Sequence, residues 1–231
     1  MVERLNEIVT YTNPASPISE AIKCLRTNTL FLNSDNKLKV IGFTSSIPGE
    51  GKTFVVSNFA VAAAYGKKKT ILIDGDIRRH GLTKLLKFKD KKGLSDILES
   101  GIDNPDDLPI YETGMDNLSM IPSGSLSIQP SELLQSDTIN KVFTWLRERF
   151  DVICVDMPPI LSVTDSTIIC KKMDGVIFLV LAHSTVKSAV ERAYQLLEES
   201  NVNILGSVLN RVDTGAQKYK YKYGYYYSYA K

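Results

Sequence analysis

Short runs of apolar residues recur along the chain, separated by segments with helical spacing. The runs are Lys39–Thr44, Thr70–Asp74, Leu118–Ile121, Asp151–Asp156, Gly175–Leu181 and Ile204–Leu209. They are near-continuously apolar rather than alternating, as strands covered on both faces are. Between them lie Thr53–Tyr65, Leu94–Ser100, Ser131–Phe150, Ser166–Met173 and Val186–Ser200, which read as amphipathic helices. This order predicts βαβ units with right-handed crossovers. The expected fold is therefore α/β: a single doubly wound, mainly parallel sheet with helices on both faces.

The flanks follow other rules. Residues 1–15 show no periodicity and predict an arm. Ser16 followed by Pro17 is a helix start, with Ser as N-cap and Pro at the first helical position. Ile18, Ile22, Leu25 and Leu32 then form a partial stripe that Asn33–Asn36 ends. The stretch Gly101–Pro130, rich in Asp, Pro, Gly and Ser, predicts mostly loop. Residues 214–231 hold too little aliphatic content to offset the entropy of ordering and predict a mobile tail. One globular body, 16–213, is left, with 16–32 as its N-terminal helix.

Composition changes this picture in three places. The net charge is +2, yet the tail alone carries +4 from Lys218, Lys220, Lys222 and Lys231, which leaves the body at −2. A basic nucleic-acid face on the body is therefore not expected. The cysteines, Cys24, Cys154 and Cys170, match no metal or redox spacing and read as reduced thiols. The longest apolar run, Gly175–Ala182, is far shorter than the roughly 20 residues that span a bilayer. The N-terminus lacks a leader pattern. The chain reads as cytoplasmic, reaching a membrane only through a partner.

The first strand runs into Ser45-Ser-Ile-Pro-Gly-Glu-Gly-Lys-Thr53 and then a helix. That is the setting of a P-loop at Ser46–Thr53. Phosphates need many inward N–H donors, and Gly49 and Gly51 let the backbone curl closely enough. Lys52 can reach the β- and γ-phosphates of a nucleoside triphosphate, and the Thr53 hydroxyl can ligate Mg²⁺. Ser46 stands where the usual pattern has Gly, which a negative φ would permit. Two further strands end in acids: Thr70–Asp74, followed by Gly75-Asp76, and Asp151–Asp156. In a parallel sheet their ends share the P-loop edge, so Asp74, Asp76 and Asp156 can converge there. The last strand ends in Asn210, whose amide suits a purine edge but equally suits a turn.

At these residues the chain resembles the bacterial protein-tyrosine kinases (BY-kinases) of capsule and exopolysaccharide synthesis, deviant P-loop ATPases related to MinD and ParA. The resemblance covers nearly the whole chain and is closest to the short cytoplasmic Gram-positive form. It rests on Ser46–Thr53, Ile71–Arg78, Val152–Pro159 and the C-terminal tyrosines. It implies ATP and Mg²⁺ as cofactors. Ser46, Gly49, Glu50, Gly51, Lys52, Thr53 and Phe54 would hold the nucleotide, and Asn210 the adenine. Thr53, Asp76 and Asp156 would hold the metal. Lys52, Asp74 and Asp76 would be catalytic, Asp74 as the base, with exchange of roles between the two acids left open. Asn210-Arg-Val-Asp213 also resembles a guanine-reading motif. Glu20, Lys23 and Arg26 match a helix used for ring-like self-assembly, with Lys23 in place of an arginine. The implied partners are a separate transmembrane activator of the polysaccharide export system, further copies of the chain and a protein-tyrosine phosphatase, with no nucleic acid.

Seven of the eleven tyrosines, Tyr219, Tyr221, Tyr223, Tyr225, Tyr226, Tyr227 and Tyr229, crowd the tail. They read as phosphorylation sites, an aromatic-basic nucleic-acid binder or an inert end. Each phosphate adds about −1.5 to −2, so two or three would overturn the local +4. Two rival functions stay open: a MinD- or ParA-like positioning ATPase, and a nucleotide-gated scaffold with little chemistry.

Overall fold

The computed structural model describes residues 3–32, 38–126, 129–163 and 165–213. Among the described residues, seven strands form one sheet: β1 (Val40–Ser45), β2 (Thr70–Asp74), β3 (Tyr111–Met115), β4 (Leu118–Ile121), β5 (Val152–Asp156), β6 (Gly175–Leu181) and β7 (Ile204–Asn210). Their order is β3-β4-β2-β5-β1-β6-β7. Every pairing is parallel except β3 with β4. The helices are α1 (Val9–Thr12), α2 (Pro17–Phe31), α3 (Lys52–Tyr65), α4 (Gly81–Leu85), α5 (Leu94–Ser100), α6 (Pro130–Gln135), α7 (Asp137–Arg149), α8 (Asp165–Cys170) and α9 (Lys187–Glu199).

Alternation along the strands sorts the core into two layers. Ile41, Phe43, Leu72, Cys154, Ile177 and Leu179 pack with the apolar residues of α2, α3 and α4. Val40, Ile71, Ile73, Ile153, Val155, Val176 and Phe178 pack with those of α5 to α9. Both faces are covered, as the continuous apolar runs require.

Two sequence expectations are corrected and one strand is added. Residues 1–15 are not a free arm throughout. A 3₁₀ turn at Glu3–Leu5 and α1 bury Leu5 and Ile8 completely, and the Thr10 N–H and hydroxyl both donate to Asn58 Oδ1 at 2.8 and 2.9 Å. The helix expected over Ser131–Phe150 is broken at Ser136, whose ψ of 155° is extended, into α6 and α7. Within Gly101–Pro130, Tyr111–Met115 forms the antiparallel edge strand β3. The Ser16 cap forms as expected: its hydroxyl accepts the Ser19 N–H at 3.1 Å, and Pro17 follows.

The strand ends decide what meets what. At the edge where β1 begins, the Asp174 carboxylate takes the Lys39 and Val40 N–H groups at 2.8 Å each. It also takes both Arg147 guanidinium donors, at 2.5 and 2.7 Å. At the opposite edge, Asp74 of β2 is in register with Asp156 of β5, and Asp156 with Phe43 of β1. The sequence-predicted tail and its seven tyrosines lie outside the described residues.

Candidate active site

Residues 46–51 turn between β1 and α3. The turn needs two left-handed residues, Gly49 at φ 87° and Gly51 at φ 93°, where other side chains are strained. A Cβ on Gly51 would also fall 2.1 Å from Asn210 Nδ2. Ser46 keeps a negative φ, which is why no glycine is required there. It is fully buried, and its hydroxyl has no hydrogen-bond partner among the described residues. With Gly51 as N-cap, the first-turn N–H groups of α3 have no intrahelical acceptor, and the helix dipole adds positive character. Such an end binds anions.

A cavity of about 600 Å³ opens over this turn. Gly49, Gly51, Lys52 and Thr53 line it from the loop and α3. Asp76, Arg78 and Arg79 line it from the segment after β2, with Lys84 from α4 and Asp156 from β5. A cationic floor, hydroxyl and carboxylate ligands and a cationic rim thus share one space.

The electrostatics follow from burial. The Lys52 ammonium donates to Ser45 Oγ at 3.2 Å. Burial lowers its pKa below the ordinary value, although Asp156, Asp76 and Glu50 pull the other way. The Thr53 hydroxyl donates to Asp156 Oδ2 at 2.6 Å, while Asp156 Oδ1 has no partner among the described residues. Burial raises the Asp156 carboxyl to about 7, against the pull of Thr53 and Lys52. Asp74 is wholly buried, and burial followed by the charge of Asp156 raises it to about 8. The Thr83 N–H and hydroxyl both donate to Asp74 Oδ2 at 2.7 Å, and Oδ1 is left without a partner among the described residues. Asp76 Oδ1 accepts the Arg79 N–H at 3.1 Å.

The predicted residues therefore separate into groups. Asp76 and Asp156 line the cavity with Lys52 and Thr53, while Asp74 sits beside Asp156 and behind Thr83. Glu50 turns into the protein: Oε2 accepts the Ile47 N–H at 2.9 Å, and Oε1 accepts the Leu181 N–H at 3.2 Å and the Thr185 hydroxyl. The Asn210 amide donates to the Glu50 carbonyl at 2.9 Å. Phe54 is half-buried and packs on the core. On α2, Lys23 bonds Glu20 at 2.7 Å and the Pro14 carbonyl at 2.8 Å. Arg26 donates to the Ala62 carbonyl at 2.8 Å, near the C-terminus of α3, where the dipole favours a cation.

Thr83, Thr185, Arg79 and Lys84 were not expected from sequence. Arg79 adjoins a motif that sequence could point to; the two threonines carry no local signal.

The donor set fits Mg²⁺. Thr53, Asp76 and Asp156 supply hard oxygen atoms, and the unpartnered Asp156 Oδ1 is a buried acceptor that a hydrated cation would satisfy. The cavity's first-turn N–H groups and Lys52 fit a polyphosphate.

Comparison with known proteins agrees with this geometry. A ParA family model, described as NUBPL iron-transfer P-loop NTPase, matches residues 36–224. The tyrosine-protein kinase CpsD of Streptococcus pneumoniae serotype 4 is 39% identical over 187 residues, covering 80% of this chain and 82% of CpsD. Among solved structures, the chimerical protein CapA2B2 superposes with a TM-score of 0.82 at 31% identity, over 89% of each chain. The kinase domain of Escherichia coli tyrosine kinase ETK gives 0.85 at 30% identity, over 91% of this chain and 82% of that one. The chain covers 27% of the length of the whole E. coli etk protein.

Proposed function

Since this chain belongs to the bacterial tyrosine-protein kinases within the ParA-like P-loop NTPases, we propose that it transfers the γ-phosphoryl group of ATP to tyrosine hydroxyls, including those of its own C-terminal cluster. The observation that carries the reading is the gathering of Lys52, Thr53, Asp76 and Asp156 around one cavity at the ends of parallel strands. Phosphoryl transfer is mostly positioning and charge neutralisation, which such a set supplies. Gly49, Gly51 and the first-turn N–H groups hold the phosphates, and Lys52 binds the oxygens that gain charge. Thr53, Asp76 and Asp156 hold Mg²⁺, which when bound neutralises charge on the phosphates. Asp74 receives the acceptor hydroxyl's proton. Thr83 fixes its Oδ2 and leaves Oδ1 buried without a donor among the described residues, which suits a proton, and Asp76, which lines the cavity, is the alternative base.

The acceptor reading extends to regulation. Transfer occurs between copies: within an assembly, a tail tethered to one chain meets a neighbour's site at high effective concentration. Glu20, Lys23 and Arg26 contribute to a ring-like assembly that tail phosphorylation disperses and a phosphatase restores. A transmembrane partner recruits and activates the kinase in capsular or exopolysaccharide export. No helix among the described residues is long and apolar enough to cross a membrane.

Mixing two full-length proteins tests transfer between copies. One carries Lys52→Met with an intact tail, and the other carries phenylalanine at all seven tail tyrosines with an intact Lys52. With the activator, ATP and Mg²⁺, phosphotyrosine is expected on the Lys52→Met chain in the mixture and in neither protein alone. An unlabelled mixture, with wild type labelled, would leave transfer within one chain.

A further inference from the structure

The turn at residues 46–51 has neither helix nor strand to fix its curvature; the Leu161 N–H holds the Ser46 carbonyl at 3.0 Å, and one carboxylate holds the apex. Glu50 is 1% exposed. Through Oε2 it closes the turn on itself at the Ile47 N–H. Through Oε1 it ties the turn to the end of β6, at the Leu181 N–H and the Thr185 hydroxyl. The carbonyl of the same residue is held by Asn210, at the end of β7. The apex of the phosphate-binding turn is thus gripped from the two strands on the far side of β1, while the Gly49–Thr53 side of the turn lines the cavity.

We propose that Thr185 is a positioning residue for the nucleotide: acting through Glu50, it holds the phosphate-binding turn in its binding-ready shape. The inference rests on reading that turn as the nucleotide site. Without the hydroxyl, Oε1 keeps one N–H partner among the described residues, that of Leu181 at 3.2 Å. A buried carboxylate so short of donors turns towards water or towards the Lys52 ammonium. Either way the apex of the turn shifts, and the shape must be restored when phosphates enter, which weakens binding through lost preorganisation. Valine removes the donor at nearly constant size, and serine keeps it.

The test is titration of the full-length chain with a fluorescent ATP analogue in Mg²⁺, beside thermal melting without nucleotide and the KM and kcat of tyrosine phosphorylation. Thr185→Val is expected to weaken binding about tenfold, the loss of one charge-assisted hydrogen bond, and to raise the KM for ATP by a similar factor with kcat retained. Thr185→Ser stays within about twofold of wild type. Should valine fail to fold, Thr185→Ala takes its place with the same expectation. Unchanged affinity in Thr185→Val, or a serine variant as weak as valine, overturns the proposal; so does a fall in melting temperature with affinity intact. Absence of Lys52-dependent binding in the wild type overturns the nucleotide reading itself, and this proposal with it.

Discussion

At the edge where β1 and β6 begin, Asp174 receives four donated hydrogen bonds from Arg147, Lys39 and Val40. At the edge where β2 and β5 end, Asp74 and Asp156 lie side by side, and each keeps one oxygen without a partner among the described residues. Burial acts on all three carboxyls in the same direction. For Asp174 the Arg147 and backbone donors more than reverse it and hold the carboxyl below its usual range. For Asp74 and Asp156 it prevails. A carboxylate saturated with donors can only fasten segments together. One left short of donors retains capacity for a metal ion, a proton or a substrate hydroxyl, and the apo protein carries the energetic cost.

The sharpest way to break this contrast is Asp156→Asn. The variant removes an oxygen ligand from the cavity and a charge from the Asp74 pair. Tyrosine phosphorylation is expected to fall by about 10²-fold or more, while the nucleotide-free protein melts higher than wild type at mildly alkaline pH. The pH dependence fixes the sign. Asp74 and Asp156 have folded pKa values raised to about 8 and about 7, against about 3.9 unfolded. Their contribution to stability is complete below about pH 4 and is lost as pH rises through about 7 to 8. Melting curves of the nucleotide-free protein should therefore fall over that window, with a shallower fall in Asp156→Asn. Equal slopes would show that the pair is not strained.

Much of this edge is readable in the sequence because its signals are local. A strand, a glycine-rich turn, Lys52 and Thr53 are contiguous, and an apolar run that stops at Asp74 or Asp156 announces where a strand meets solvent or a ligand. What stays hidden depends on distant partners. Thr185 reaches Glu50 across 135 residues, and Asp174 reaches Lys39 across the same separation. Leu5 and Ile8 occupy short turns with too few repeats for a period, yet α3 and its neighbours bury both. β3 reads Tyr-Glu-Thr-Gly-Met, an edge strand half open to solvent with little apolar alternation. Ser136 looks like an ordinary helical position until its extended backbone separates α6 from α7.

The other side of the contrast gives a smaller effect. Asp174→Asn removes charge-assisted bonds that fasten β1, β6 and α7. About 1–2 kcal/mol of stability should be lost, a modest figure because the Arg147 side chain is 33% exposed and screened. The contribution exists above about pH 4 and disappears as pH falls through the lowered folded value, opposite in sign to the catalytic edge. Denaturant titration measures the loss, and the affinity for an ATP analogue should stay within about twofold of wild type. A large drop in affinity would mean that the two edges are coupled rather than separate.

The edge bearing Lys52, Thr53, Asp76 and Asp156 is expected to phosphorylate tyrosine. Mass spectrometry of the full-length protein, after incubation with its activator, ATP and Mg²⁺, tests it most directly. Phosphate is expected on residues within Tyr219–Tyr229 of the wild type and none in Lys52→Met. Unmodified tyrosines in the wild type, or the same modification in both proteins, would contradict it.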